Sequence, residues 1–204
     1  MSSQSTEIHY RLNERDEIVF VNGTWDEFAS ANSGESLTAP QVLGRLLWGF
    51  ITDRTTRALY RDVLARARGG FPVRFAIRCD SPACRRLLEM EIACGPENLV
   101  EFRVRTLSEE KRPSQLLFDP NQPRSEELVL VCGWCKKVHV GDRWAEVEEA
   151  VSLLGLFERK LLPDVTHGIC EDCYARVAAT LGRGEGIAEP TAAVDRGRKA
   201  GPGH

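Results

Sequence analysis

Apolar and polar residues alternate in five short runs over the first half of the chain. Ile8-His-Tyr-Arg-Leu12 and Glu17-Ile-Val-Phe-Val21 predict two strands, joined by a hairpin loop at Asn13-Glu-Arg-Asp16. Val73 to Cys79, Arg86 to Cys94 and Leu99 to Leu107 predict three more, with Val73/Phe75/Ile77 and Phe102/Val104 on one face. Asp80-Ser-Pro-Ala83 and Gly95-Pro-Glu-Asn98 supply their turns. Between the two groups the period lengthens. Thr24 caps a short helix from Trp25 to Ala31, and Pro40 to Gly44 forms a helical turn. Leu59, Val63 and Leu64 stripe a longer helix from Asp53 to Ala67, stopped by Gly69-Gly70. Its wet face carries Arg54, Arg57, Arg61, Arg66 and Arg68. Two strands, several helices, then three strands predict an α+β unit over residues 8–107.

The pattern breaks at residues 108–127. Ser108-Glu-Glu-Lys-Arg-Pro113, Asp119-Pro120 and Gln122-Pro123 are polar and proline-broken, which predicts an interdomain linker. A second unit follows over 128–181. It opens on a strand, Leu128-Val-Leu-Val131. A helix is predicted from Arg143 to Leu154, with Asp142 as its cap and Trp144, Val147, Val151 and Leu154 along one stripe. A loop through Pro163 leads to a last helix, Cys170 to Leu181. Residues 1–7 are expected to fray, and the glycine-rich tail 182–204 to be disordered.

Composition narrows the field. With 204 residues, 42% hydrophobic and 28% charged, the chain is globular, with room for one or two domains. It is too short for a sensor plus a complete kinase or cyclase. A net charge of −3 argues against a general nucleic-acid binder. No run of 18 apolar residues predicts a spanning helix, and the N-terminus lacks a basic, then apolar, secretory pattern. The expected location is the cytoplasm. Thiols stay reduced there, so seven cysteines point to metal or redox chemistry before disulfides.

Four of the seven form two C-x-x-C pairs, Cys132/Cys135 and Cys170/Cys173, with 34 residues between them. Such a turn offers two sulfurs to one side of a tetrahedral ion, and two turns complete a structural Zn²⁺ site. Gly133 is expected to tighten the first turn and let backbone N–H groups face sulfur. Lys136 and Lys137 should offset the charge of four thiolates. The second pair opens a helix, whose positive end favours thiolate. A unit of this size also gains from a metal staple. His167 reads as a loop histidine bonding a carbonyl or a thiolate, with ligation as the alternative. Cys132-Gly-Trp-Cys135 also superficially resembles a catalytic dithiol, but the chain is short for that fold and the second pair would be unexplained. Cys79 and Cys84 bracket a turn and could face each other; they read as small, half-buried residues, and Cys94 as core. Metal removal is expected to unfold 128–181 and leave 8–107 folded.

Two resemblances add to this reading. Asp16-Glu-Ile-Val-Phe-Val-Asn22, Thr24-Trp-Asp-Glu-Phe28, Val42-Leu-Gly-Arg45 and Trp48-Gly-Phe-Ile51 resemble the opening of PAS-type sensor domains. The resemblance implies a five-stranded antiparallel sheet with helices on one face, often enclosing a ligand and often dimerising. Val131-Cys-Gly-Trp-Cys-Lys-Lys137, Trp144, Glu146-Val-Glu-Glu149 and His167-Gly-Ile-Cys-Glu-Asp-Cys173 resemble a zinc-binding-type module at the ends of bacterial sensory and response-regulator proteins. Together they imply a cytoplasmic, non-enzymatic signalling protein that senses an unidentified ligand or partner and relays it by protein contact, with a homodimer through the PAS-like unit possible. A nucleic-acid-binding regulator and a thiol redox switch are the alternatives. The acidic helix at Glu146, Glu148 and Glu149 speaks against the first. His9 is the single histidine in the PAS-like region, and a strand histidine is more often structural than a haem ligand.

Overall fold

In the computed structural model, residues 7–31 and 34–182 are described. Of the fraying expected over residues 1–7 and the tail expected over 182–204, all but Glu7 and Gly182 lie outside them. The first unit has the predicted elements: β1 (Ile8–Leu12), β2 (Ile18–Val21), α1 (Trp25–Ala31), α2 (Ala39–Val42), α3 (Arg54–Arg68), β3 (Val73–Arg78), β4 (Cys84–Cys94) and β5 (Val100–Lys111). The five strands form one antiparallel sheet in the order β2-β1-β5-β4-β3.

Alternation decides which face is covered. Leu88, Met90 and Ile92 on β4 and Val100, Phe102 and Val104 on β5 point inward, against Leu59, Val63, Leu64 and Ala67 of α3. Asp53 caps α3 by accepting the Thr56 N–H at 2.6 Å. Residues of the opposite register pair their charges across strands: Arg74 with Glu91 at 2.7 Å, and Arg105 with Glu89 at 2.5 Å. The arginines of α3 do more than face water. Arg57 donates to the Ile51 carbonyl and, at 2.7 Å, to that of Trp48. Arg61 lies over the Trp48 ring, and Arg68 pairs with Asp16 at 2.6 Å.

The segment expected to be a linker is built into the fold. β5 continues to Lys111, pairing Ser108, Glu109, Glu110 and Lys111 with Leu87, Arg86, Arg85 and Cys84. Their side chains are exposed, so the sequence looks like a solvated linker although the backbone is laddered. Leu117 is 1% exposed in the core of the second unit. Arg124 gathers the carbonyls of Leu117, Asp119 and Pro163 and anchors the start of β6 (Arg124–Cys132).

The second unit holds more strand than expected. β7 (Val138–Val140), β8 (Arg143–Ala145) and β9 (Leu162–Gly168) join β6 in the order β8-β7-β6-β9, with β9 parallel to β6. The helix predicted from Arg143 to Leu154 is instead β8 followed by α4 (Val147–Leu153). Ala145, Val147, Ala150 and Val151 face one core from both elements, so an apolar stripe crosses the junction and imitates a single helix. Asp142 does not cap α4. Glu146 stands at that position, and its carboxylate reaches the first unit. The last helix, α5 (Glu171–Thr180), is as expected.

The two units meet at the end of β3. Arg78 bonds Asp80 and, at 2.6 Å, Glu146. Arg112 pairs with Asp80 at 3.2 Å and with Glu148 at 3.1 Å, and Arg85 also reaches Glu148 at 3.1 Å. The Asp80 side chain is fully buried, so three arginines and three carboxylates seal the joint. No helix among the described residues is long and apolar enough to cross a membrane.

Candidate metal centre

β6 delivers Cys132 as its last residue, and the chain reverses at once. The Lys136 N–H donates to the Cys132 carbonyl at 2.9 Å, and the Cys132 N–H to the Lys137 carbonyl at 2.8 Å. Lys136 takes the left-handed position of this turn, with φ 61°. Gly133 does not. Its N–H donates to the Gly168 carbonyl at 2.8 Å, which prolongs the parallel β6–β9 pairing and sets the two C-x-x-C segments side by side. Backbone N–H groups do approach sulfur, from other residues: that of Cys170 lies 3.4 Å from Cys132 Sγ, that of Lys137 serves Cys135, and that of Cys173 serves Cys170. Gly168 is confined: a Cβ there would stand 3.1 Å from Leu130 Cδ1. Beyond it, Cys170 is the N-cap of α5, and Cys173 lies in the first turn.

The four predicted residues converge. The sulfurs of Cys132, Cys135, Cys170 and Cys173 all lie within 4.8 Å of one another, and Cys135 and Cys170 are 3.7 Å apart. A tetrahedral ion with sulfur at about 2.3 Å requires edges of about 3.8 Å. All four are free thiols. Cys132, Cys170 and Cys173 are buried, and Cys135 is half-buried. His167, on β9 opposite Val131, is not part of the set.

The thiols compete for protons. Hydrogen bonds from Cys135, Cys170 and Cys173 hold Cys132 far below the usual thiol range. Cys135 lies at about 7, pushed up by Cys132 and pulled down by Cys170 and Cys173. Cys170 is pushed well up by Cys132, Cys135 and Cys173. Four ionised sulfurs at this spacing would need a cation to coexist, so the cluster could hold a metal ion, whose binding would release protons.

Arg176 supplies the nearest positive charge, its Nη2 donating to Cys173 Sγ at 2.9 Å. Lys136 turns its ammonium to the Gly133 carbonyl instead, at 3.1 Å. The sequence signal for Arg176 was its place three residues after Cys173 on a helix, which brings the two side chains together. Trp144 Nε1 donates to Glu171 at 2.9 Å and ties β8 to the start of α5.

Trp134 had no sequence signal as a contact residue. It lies between Cys132 and Cys135, is 4% exposed, and packs against Phe75 and Tyr60 of the first unit at ring distances of 4.7 and 5.4 Å. Its carbonyl accepts the Arg78 N–H at 2.6 Å.

The remaining candidates stay apart from this site. Cys79 and Cys84 are free and half-buried. Arg86 bonds the Cys79 carbonyl at 3.2 Å and stands 4.0 Å from Cys84 Sγ. Burial pushes the Cys79 thiol up. Cys94 is half-buried at the end of β4, 3.4 Å from Asn98 Oδ1, instead of in the core. His9 packs edge-on to Phe20 and lies 3.7 Å from Glu101. Set against models of known families and against curated proteins, the sequence matches none of them, so the functional reading rests on the geometry of this four-sulfur cluster.

Proposed function

We propose that this chain is a non-catalytic cytoplasmic signalling protein. A PAS-like unit over 8–107 receives a small molecule or a partner, and a second unit, stapled by structural zinc, passes that state on by protein contact. The observation that carries the reading is the convergence of Cys132, Cys135, Cys170 and Cys173 into one cluster. Thiolates suit zinc among the common ions, and four of them close its tetrahedron, leaving no position for a reacting water. The five-stranded antiparallel sheet, with α3 packed on one face, supports the PAS-like reading of the first unit. Pairing of two copies through that unit belongs to the same proposal.

The test is elemental analysis and an absorption spectrum of the full chain purified without added metal. One zinc per chain is expected, with no haem or flavin band. Cys132→Ser or Cys173→Ser should lower the zinc from one equivalent toward none. A full chain that carries no metal, and takes up none when zinc is supplied, removes the reading. A stoichiometric haem or flavin band would replace the non-catalytic assignment with a redox one.

A further inference from the structure

The residue between two ligands cannot move independently of them. Trp134 is flanked by Gly133-Cys132 on one side and Cys135 on the other, so an ion that fixes both sulfurs also fixes the backbone that carries the indole. That indole is not buried in its own unit. It sits on Phe75 of β3 and Tyr60 of α3, and its carbonyl takes the last N–H of β3, that of Arg78. The other half of the cluster faces the same way. Cys170, Cys173 and Val177 belong to the core of the first sheet, with Tyr174 and Leu181 packed beside them. The second unit's separate core, around Val129, Val147 and Leu156, does not include the cysteines. The sulfur cluster is therefore the joint between the units, and the ion cluster of Arg78, Arg85, Arg112, Asp80, Glu146 and Glu148 lies alongside it.

From this juxtaposition of Trp134 with Phe75 and Tyr60 we infer that the four-cysteine site is a metal-dependent latch: a divalent ion bound there clamps the second unit onto the β3–α3 edge of the first, and its loss frees that edge. The inference rests on the reading of the cysteines as a metal site and adds what the ion controls. It also sharpens the expectation that metal removal leaves the first unit folded: that unit stays folded, with its β3–α3 edge loosened. Coupling of this kind is reciprocal: if metal strengthens the seat of Trp134, the seat strengthens metal binding by the same factor. A state of the first unit that displaces Phe75 or Tyr60 thus weakens metal binding, and metal availability in turn reaches the sensor sheet.

The experiment uses the full chain in three measurements. Co²⁺ titration reads the site through its thiolate charge-transfer band. Competition with a chromophoric chelator gives the Zn²⁺ affinity. Hydrogen exchange, with and without EDTA, reads residues 54–80. Chelation is expected to raise exchange in β3 and the second half of α3, and Phe75→Leu to lower Zn²⁺ affinity about fivefold or more, within the range usual for coupled sites. Arg85→Ala, outside the apolar core, should lower it by a smaller factor without unfolding the chain. Phe157→Ser, at an exposed position outside both cores, should leave it unchanged. A normal Co²⁺ band with unchanged exchange over 54–80 and equal affinities in all variants overturns the latch and leaves the metal site standing. Absence of the Co²⁺ thiolate band overturns both, and is seen before either other measurement is made.

Discussion

Arg176 shows how one side chain sets the character of the cluster. Its guanidinium lies 2.9 Å from Cys173 Sγ and offsets part of the charge that four thiolates would carry. Groups that hydrogen-bond a metal ligand typically contribute about 10–100-fold to metal affinity. Arg176 is partly wet, so Arg176→Ala is expected to weaken Zn²⁺ binding about tenfold, the low end of that range. Arg176→Lys should recover part of the loss, and chelator competition reads both. His9 makes a separate prediction. Burial lowers its pKa from 6.5, against an opposing pull from Glu101, with Arg11 and Arg103 adding to the lowering. The unfolded chain therefore takes up a proton before the folded one does. The contribution of His9 is complete above the unfolded value and is lost as pH falls through that value toward the folded one. Thermal unfolding between pH 7.5 and 5.5 should fall less steeply in His9→Gln than in the parent chain. Equal slopes would show that the histidine feels no burial.

At the scale of elements, exposure of side chains and order of backbone part company. Residues 108–111 are laddered to β4 with their side chains in water, and Leu117 is sealed in the second core. Leu117→Ala is expected to cost about 2–5 kcal/mol, as for a buried leucine elsewhere. A solvated linker would register almost nothing in a denaturant titration. Asp80 is the second test. Its carboxylate is fully buried between Arg78 and Arg112, and removing one partner of a buried ion pair typically costs about 3–5 kcal/mol. Asp80→Ala should therefore lower the melting temperature far more than Glu149→Ala, whose partner Arg143 is half exposed. The last three strands of the first unit, β3, β4 and β5, were legible because each buries alternate residues over six or more positions. β7 and β8 have three residues each, too few to show a period, and β9 holds Pro163 and Asp164 near its start. Parallel pairing with β6 comes from partners more than thirty residues away, which no local pattern encodes.

At the scale of the whole molecule, two cores meet at the four-cysteine cluster. One core spans the first sheet, α3 and the cysteine-bearing end of α5; the other lies beneath α4. With metal bound, the chain should unfold in a single cooperative transition, because the seat of Trp134 and the buried ion cluster cross the boundary between units. Calorimetry resolving two well-separated transitions in the zinc-loaded chain would contradict that picture.

The four cysteines that converge, and the approximate run of strands and helices that carries them, could be read from residue order alone. Sulfur spacing and apolar period are local properties, and burial enforces the period wherever an element is long enough. What those cysteines and their neighbours touch could not be read so. Trp134 looks like filler between two cysteines, Glu146 and Glu148 like a wet helix face, and Arg78 and Arg112 like ordinary surface charge. Only the folding of β3 against the reversal after β6 brings them within bonding distance. Contacts between segments far apart in the chain depend on the geometry of both units together, and that geometry places the four-cysteine cluster at their joint.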